Sequence, residues 1–434
     1  MIECRSVKFL VLRKEMLQNM KFNILPVLFA VSILLVSCGS IQKKHENMAD
    51  RDSAAVTSEA AESLPVRDYD RAADHPGARC AQNEAALFFF CALSTIDEPG
   101  LIYYVDKASG ASGPLCGRPE CMHNSSACNA YIGPCGYGIC FYDGKLIFAA
   151  EEYAENGAYE GVCIYRMNPD GTDREKIGEL ISPDESNAFM NTSYMVHRGH
   201  LFFGGIKGEI RDGAYEYFNF VYDYDLGSKK RSVIYEVSNE GMMRMQPVGD
   251  DLYIFDQAPA KNGASDDTWE WTASVYHLGN REMDVLFHGE SPGMMYEYWV
   301  EDQVVYMSAV SEGAVYAFDM ESKKFSRAVS ADGGIDVPNF LANGLVIRNT
   351  YSDSSFRTRK IQAVDFTGKT ILDQEFEDPF QDEQGSPYGY TMFDADDENL
   401  YFYFTDISDE NSTLAMLTAF PLDGSDYRIL WRKE

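Results

Sequence analysis

Seven times between residues 80 and 434 the chain repeats one short pattern, a tight polar turn followed by an apolar, aromatic-rich run. The copies include "YDGKLIF", "HRGHLFF", "VGDDLYIF" and "DDENLYFYF". The first aliphatic residue after each turn is Leu87, Leu146, Leu201, Leu252, Val304, Leu345 or Leu400, at spacings of 41 to 59 residues. Between successive copies lies a second pattern, as in "CIYRMNPDGTDREKI" and "FVYDYDLGSKKRSVI", where Asp, Asn, Gly or Ser separates two short apolar runs. Those residues tolerate left-handed backbone and cap their own turns, which is hairpin chemistry. Each copy therefore reads as two hairpins, or four antiparallel strands, and no long 3.6-residue periodicity interrupts the series. A single four-stranded unit cannot bury both of its faces, but units repeated at this period bury them against one another. The expected fold is all-β, a β-propeller of seven four-stranded blades. Six or eight blades is the nearest variant, and a pair of β-sandwiches is the competing architecture.

Upstream of the repeats the chain carries an address. From Met20, an alternative start, it reads "MKFNILPVLFAVSILLVSCGS": one lysine, then an uncharged and mostly apolar run from Phe22 to Ser37. The run is short for a bilayer span, which needs about 20 residues, and suits the apolar region of an export signal. Its ending, Leu35-Val36-Ser37-Cys38, resembles the lipobox of bacterial lipoproteins, and that likeness implies lipidation of Cys38. Residues 1–37 are therefore expected to be a lipoprotein signal peptide. Residues 38–65, with almost no large apolar side chain after Ile41, cannot bury enough surface to offset chain entropy and are expected to be a flexible tether. That leaves 66–434 for the propeller, held by lipid on the extracytoplasmic face of the cell membrane. A formal net charge of −31 becomes more negative once the signal is removed, because that segment holds more bases than acids. Such a surface repels phosphate backbones, so nucleic acid is excluded as a partner.

Together the lipobox, the polar stalk, the "LYF…IYxxDxxTG" blade pattern and the early "LCGRPECMH…C" segment resemble the propeller lipoproteins of anaerobic gut Clostridia. The repeats of that group are similar to a domain of unknown function related to low-density-lipoprotein-receptor propellers. The likeness spans nearly the whole mature chain and implies a surface lipoprotein with no assigned reaction. It also implies an anaerobic host, in which thiol oxidation is not assured.

Besides Cys38, the mature chain has Cys80, Cys91, Cys116, Cys121, Cys128, Cys135, Cys140 and Cys163. An even number outside the cytoplasm points to disulfides. The spacing C-x4-C-x-H-x4-C, however, also brings Cys116, Cys121, His123 and Cys128 within reach of one tetrahedral ion, and a closed Cys3His set is what structural zinc prefers. Disulfides explain the parity and leave His123 idle; a metal explains all four residues and leaves other thiols to be placed; free buried thiols are the third possibility. Cys80 and Cys140 each precede a hairpin turn by three residues, which predicts that they approach one another across adjacent blades.

The remaining histidines are scattered singly, and no nucleophile elbow, zincin, Walker or dinucleotide motif is present. Trp269 with Trp271 in "DDTWEWT", and Tyr296 with Tyr298 in "MMYEYWVED", fall on common sides of extended segments and are candidate ligand platforms. Packing between blades is the alternative fate of such rings. The expected function is a non-catalytic scaffold that binds a protein, peptide or glycan. The rival is an extracytoplasmic glycosidase or lyase, whose carboxylates would come from several blades and leave no local motif.

Overall fold

In the computed structural model the chain separates into two units, Met1–Pro65 and Val66–Glu434. The structure describes residues 80–433 except the segments 92–99, 134–135, 155, 186–187, 212–213, 239–240, 261–267, 310–312, 331–339, 352–357, 378–388 and 406–414. The signal, Cys38 and the tether therefore lie outside the described residues, as do Cys135 and the side chain of Cys91.

The described residues form seven antiparallel sheets, six built from four strands consecutive in sequence and the first from five, since its outer edge is two short pieces. The first strand of each is innermost: Cys80–Gln82, Gly136–Tyr142, Ala188–His197, Met242–Val248, Met295–Glu301, Phe340–Ala342 and Gly389–Ala395. Each inner strand touches the inner strands of the blades on either side, and Gly389–Ala395 returns to Cys80–Gln82, closing a ring. This is the seven-bladed β-propeller that the repeats predict.

Its core is not central. Seven hydrophobic clusters each combine side chains of two neighbouring blades, one cluster at every junction of the ring. The repeat exists to fill those junctions. Leu87, Leu146, Leu201, Leu252, Val305, Val346 and Leu400 all face the preceding blade and all are 0% exposed. In two blades this corrects the sequence alignment by one residue: Val304 is half-buried, and Leu345 packs toward blade seven. Side chains alternate between faces along a strand, so counting from the first aliphatic rather than from the turn's last hydrogen-bonded pair reverses the face.

The same slip undoes the expected approach of Cys80 and Cys140. Gln82 pairs with Leu87, whereas Phe141 pairs with Leu146, because the two turns differ in length. Cys80 therefore faces blade seven, and Cys140 faces blade three, where its thiol reaches the Tyr194 carbonyl. They belong to different junctions.

Closure of the ring exchanges no strand between the first and last blades among the described residues. Instead Phe89 and Tyr103 pack edge-on against Trp431, with centroids 5.3 and 5.5 Å apart. A polar network crosses the same junction. Gln82 donates to Asp394 at 2.6 Å, Lys107 donates to Gln82 and pairs with Asp396 at 2.9 Å, and the Tyr401 hydroxyl donates to Asp396 at 2.8 Å.

Candidate metal centre

Blade one is the only blade among the described residues whose outer edge is divided. The third strand, Gly100–Asp106, pairs with Ser112–Pro114 over one half of its length and with Tyr131–Gly133 over the other. Residues 115–130 leave the sheet between those two short pieces and form a knuckle. A three-residue strand holds few ladder bonds, so the two pieces need another constraint to stay in register.

The knuckle supplies one. Donor atoms of Cys116, Cys121, His123 and Cys128 all lie within 4.8 Å of one another, and His123 Nδ1 is 3.3 Å from Cys128 Sγ. His123 reaches this position through a left-handed backbone, φ 56°, a conformation that costs a non-glycine residue roughly 1 kcal/mol or more. Backbone amides are aimed at two of the sulfurs, those of Arg118 and Asn129 at Cys116 and that of Ala130 at Cys128. Burial pushes the Cys116 thiol up, but these amides and the neighbouring thiols outweigh it and hold the group below its ordinary value. At Cys128 burial dominates and the thiol is pushed up to about 12. Three sulfurs and one imidazole, with N–H groups directed at the sulfurs, match the donor set and outer shell of a tetrahedral metal site, so the cluster can hold an ion such as zinc.

Contacts to blade two fix the knuckle from outside. Gly117 and Gly171 interlock: a Cβ on Gly117 would sit 2.5 Å from the Thr172 methyl carbon, and one on Gly171 would meet the Leu115–Cys116 backbone at 2.8 Å. The Gly117 amide and the Asn129 side chain both donate to the Gly171 carbonyl. Arg174 lies over the Tyr165 ring at 4.2 Å and donates to the Asn129 and Tyr131 carbonyls, bracing the far piece of the split strand. Cys80, Cys140 and Cys163 are buried elsewhere, and Cys80, Cys116, Cys121, Cys128 and Cys163 are free thiols. Burial pushes the Cys163 thiol up to about 11.

No known protein family and no curated protein matches the sequence. Among solved structures, puromycin hydrolase is similar at 10% identity with a TM-score of 0.51, covering 85% of this chain and 54% of that one. The β-propeller domain of the trilobed protease from Pyrococcus furiosus is similar at 12% identity with a TM-score of 0.49, over 85% of this chain and 97% of that one. A prolyl endopeptidase structure aligns over 82% of this chain and 49% of its own length, at 12% identity and a TM-score of 0.49. The chain thus spans about half the length of the two hydrolases it matches. What is shared is the propeller.

The candidate ligand platforms divide. Trp271 is 0% exposed and stacks beside Phe255 and Tyr298 in the junction between blades four and five; Tyr298 is 3% exposed, its ring 4.6 Å from Phe255 and nearly parallel to it. These two rings are packing residues with no face left for a ligand, because their strand positions point into the junction rather than along its rim. Trp269 and Tyr296 are half-buried. The scattered histidines are taken up locally: His197 bonds the Gly249 carbonyl, His200 pairs with Asp223, His277 with Asp251, and His288 with Thr272. Sequence reasoning missed Arg244, which is 1% exposed on the inner strand of blade four and lies under Tyr296 at 5.4 Å. A charged residue at an inward-facing position of "MMRMQPV" is the signal that points to it.

Proposed function

We propose that the chain is an exported lipoprotein, anchored through Cys38 to the outer face of the membrane by the tether 38–65. Its propeller, from residue 66 onward, binds a protein, peptide or glycan ligand without catalysis, and zinc held by Cys116, Cys121, His123 and Cys128 staples blade one. The observation that carries this reading is the closed donor set. A catalytic zinc keeps a position open for water or substrate, whereas four protein ligands on a tetrahedral ion leave none. The metal therefore serves the scaffold, and the ligand belongs on a propeller face.

Two measurements test it. Full-length protein is exposed to panels of polysaccharides and peptides, with binding and turnover both read. Binding without turnover is the expected result; turnover abolished by one carboxylate substitution would replace this reading with the enzymatic one. In cells, Cys38→Ser is expected to release the protein from the membrane fraction, and unchanged membrane retention would remove the anchor from the proposal.

A further inference from the structure

The two ends of the propeller are unlike. At one end lie the turns that join the first strand of a blade to its second and the third to its fourth; at the other end the second strand passes into the third. The turn end is closed and anionic. In six of the seven blades an aspartate of the third-to-fourth turn, namely Asp106, Asp170, Asp225, Asp319, Asp365 or Asp423, accepts a backbone N–H from a residue two or three places on. Among the described residues none of these turns exposes a large hydrophobic side chain. The opposite end exposes three: Tyr153 at 46%, Ile210 at 75% and Tyr215 at 50%. All others lie on the knuckle or along outer strands.

Local structure holds those rings in place. In blade three the strands His200–Arg211 and Ala214–Asp225 outrun their neighbours: among the described residues, pairing to the inner strand stops at Ala188 and Gly208, and pairing to the outer strand at Ser238 and Phe218. Glu209–Arg211 and Ala214–Tyr217 therefore stand beyond the blade as a two-stranded ribbon. Side chains alternate along it. Glu209, Arg211 and Glu216 share the side facing blade two, and Ile210, Tyr215 and Tyr217 share the side facing blade four. The Tyr215 ring lies across Gly208, where a Cβ would come within 2.9 Å of its Cε1, and it meets the Tyr217 ring edge-on at 5.2 Å. In blade two Tyr153 meets Tyr159 in the same manner at 5.7 Å, and its hydroxyl donates to Glu151 at 2.8 Å. Each of the two blades thus presents one exposed tyrosine propped by a second.

We propose that Tyr153 and Tyr215 are the platforms on which this end of the propeller binds an uncharged polysaccharide; this rests on the binding reading above. The C–H face of a pyranose ring is apolar and slightly positive, so it matches the negative face of an aromatic ring. A protein partner fits less well. Tyr153, Ile210 and Tyr215 expose roughly 400 Å² between them, about half of the ~800 Å² that each partner gives to a stable protein interface, and they are divided between two blades. An acidic polysaccharide is repelled by a chain of formal net charge −31. Among the described residues the platform side of the ribbon carries no charge to offset that repulsion.

The test titrates full-length protein calorimetrically with the hexasaccharides of cellulose, xylan, mannan and β-1,3-glucan, and with hexagalacturonate as the acidic counterpart. At least one neutral hexasaccharide should bind, and more tightly than hexagalacturonate. Tyr215→Ala and Tyr153→Ala should each weaken it roughly tenfold or more, the loss of one stacked ring. Tyr215→Phe keeps the ring and should bind within about threefold of the parent. Both positions are exposed, so the variants should melt close to the parent. On the parent itself, saturating sugar should slow nitration of Tyr153 and Tyr215 by tetranitromethane relative to the other tyrosines, which decides the matter if an alanine variant does not fold. No binding by any neutral hexasaccharide, tighter binding of hexagalacturonate, or equal binding by the alanine variants each overturns the inference. A sugar or peptide that binds and ignores both tyrosines would remove this site and leave the binding reading intact. Turnover of a neutral hexasaccharide that depends on Tyr153 and Tyr215 would keep the site and replace the non-catalytic reading.

Discussion

The rim of blade one and the axis-facing strand of blade four handle polar side chains in opposite ways. On the rim, three sulfurs and an imidazole converge on one point, and the surrounding backbone and Arg174 satisfy the knuckle from the chain's own groups. At the inner strand, Arg244 is more deeply buried than Cys116, Cys121 or His123, and its Nε is left without a partner. The difference separates two uses of buried polarity. A cluster that closes on itself can be held by one ion, whereas a buried guanidinium under an aromatic ring is held by the packing of two blades.

The comparison breaks first, and most visibly, at the metal. Removing zinc with a chelator, or changing Cys128→Ser, should free the split outer strand of blade one. Zinc binding to isolated finger peptides is worth about 10–16 kcal/mol, an upper bound for a site grafted on a preformed sheet. The expected outcome is stoichiometric zinc in the parent, none in the variant, a lower melting temperature, and new protease cleavage between residues 115 and 130. Zinc-free parent protein that resists cleavage equally would mean that the knuckle holds itself.

The fate of the tryptophans sharpens the same contrast between packing and reception. Trp271→Ala should cost about 3–5 kcal/mol in denaturant unfolding, the range for deleting a large buried aromatic side chain. Trp269→Ala, at a half-buried position, should cost under about 1 kcal/mol. Equal losses would place both rings in the junction core.

The smallest effect belongs to ring closure. Burial alone would raise the Asp396 carboxyl, but Lys107 and the Tyr401 hydroxyl outweigh it and hold the group below its ordinary value of 3.8. A carboxylate depressed in the folded state contributes stability that is present above its unfolded pKa and lost as pH falls through the folded one. Stability should therefore decline below about pH 4, and part of that decline should vanish in Asp396→Asn, which should itself cost about 1–2 kcal/mol at neutral pH. An unaltered acid profile in the variant would show that the aromatic contacts around Trp431 close the ring unaided.

Much of this was open to sequence reading. Hairpin turns and apolar runs have a short period, so the number of blades, their four strands and the cysteine knuckle could be found by counting. Face assignment could not be found in that way, because it depends on how many residues a turn spends before pairing begins. That is why Val304, Leu345 and the Cys80–Cys140 pair were misplaced by a single residue. Aromatic spacing told which rings share a side of a strand and not whether that side meets a neighbouring blade or water. Trp271 and Tyr298 went into the junction, and Trp269 and Tyr296 stayed nearer the surface.

The sequence by itself determined the seven-bladed repeat and the metal-ligand spacing, since both arise from residues close together along the chain. Tertiary structure alone decided that the knuckle divides one blade's outer edge, that the ring closes through Lys107 and Asp396, and that Arg244 lies under Tyr296. Those facts join residues up to 289 positions apart, and only the closed ring brings them together.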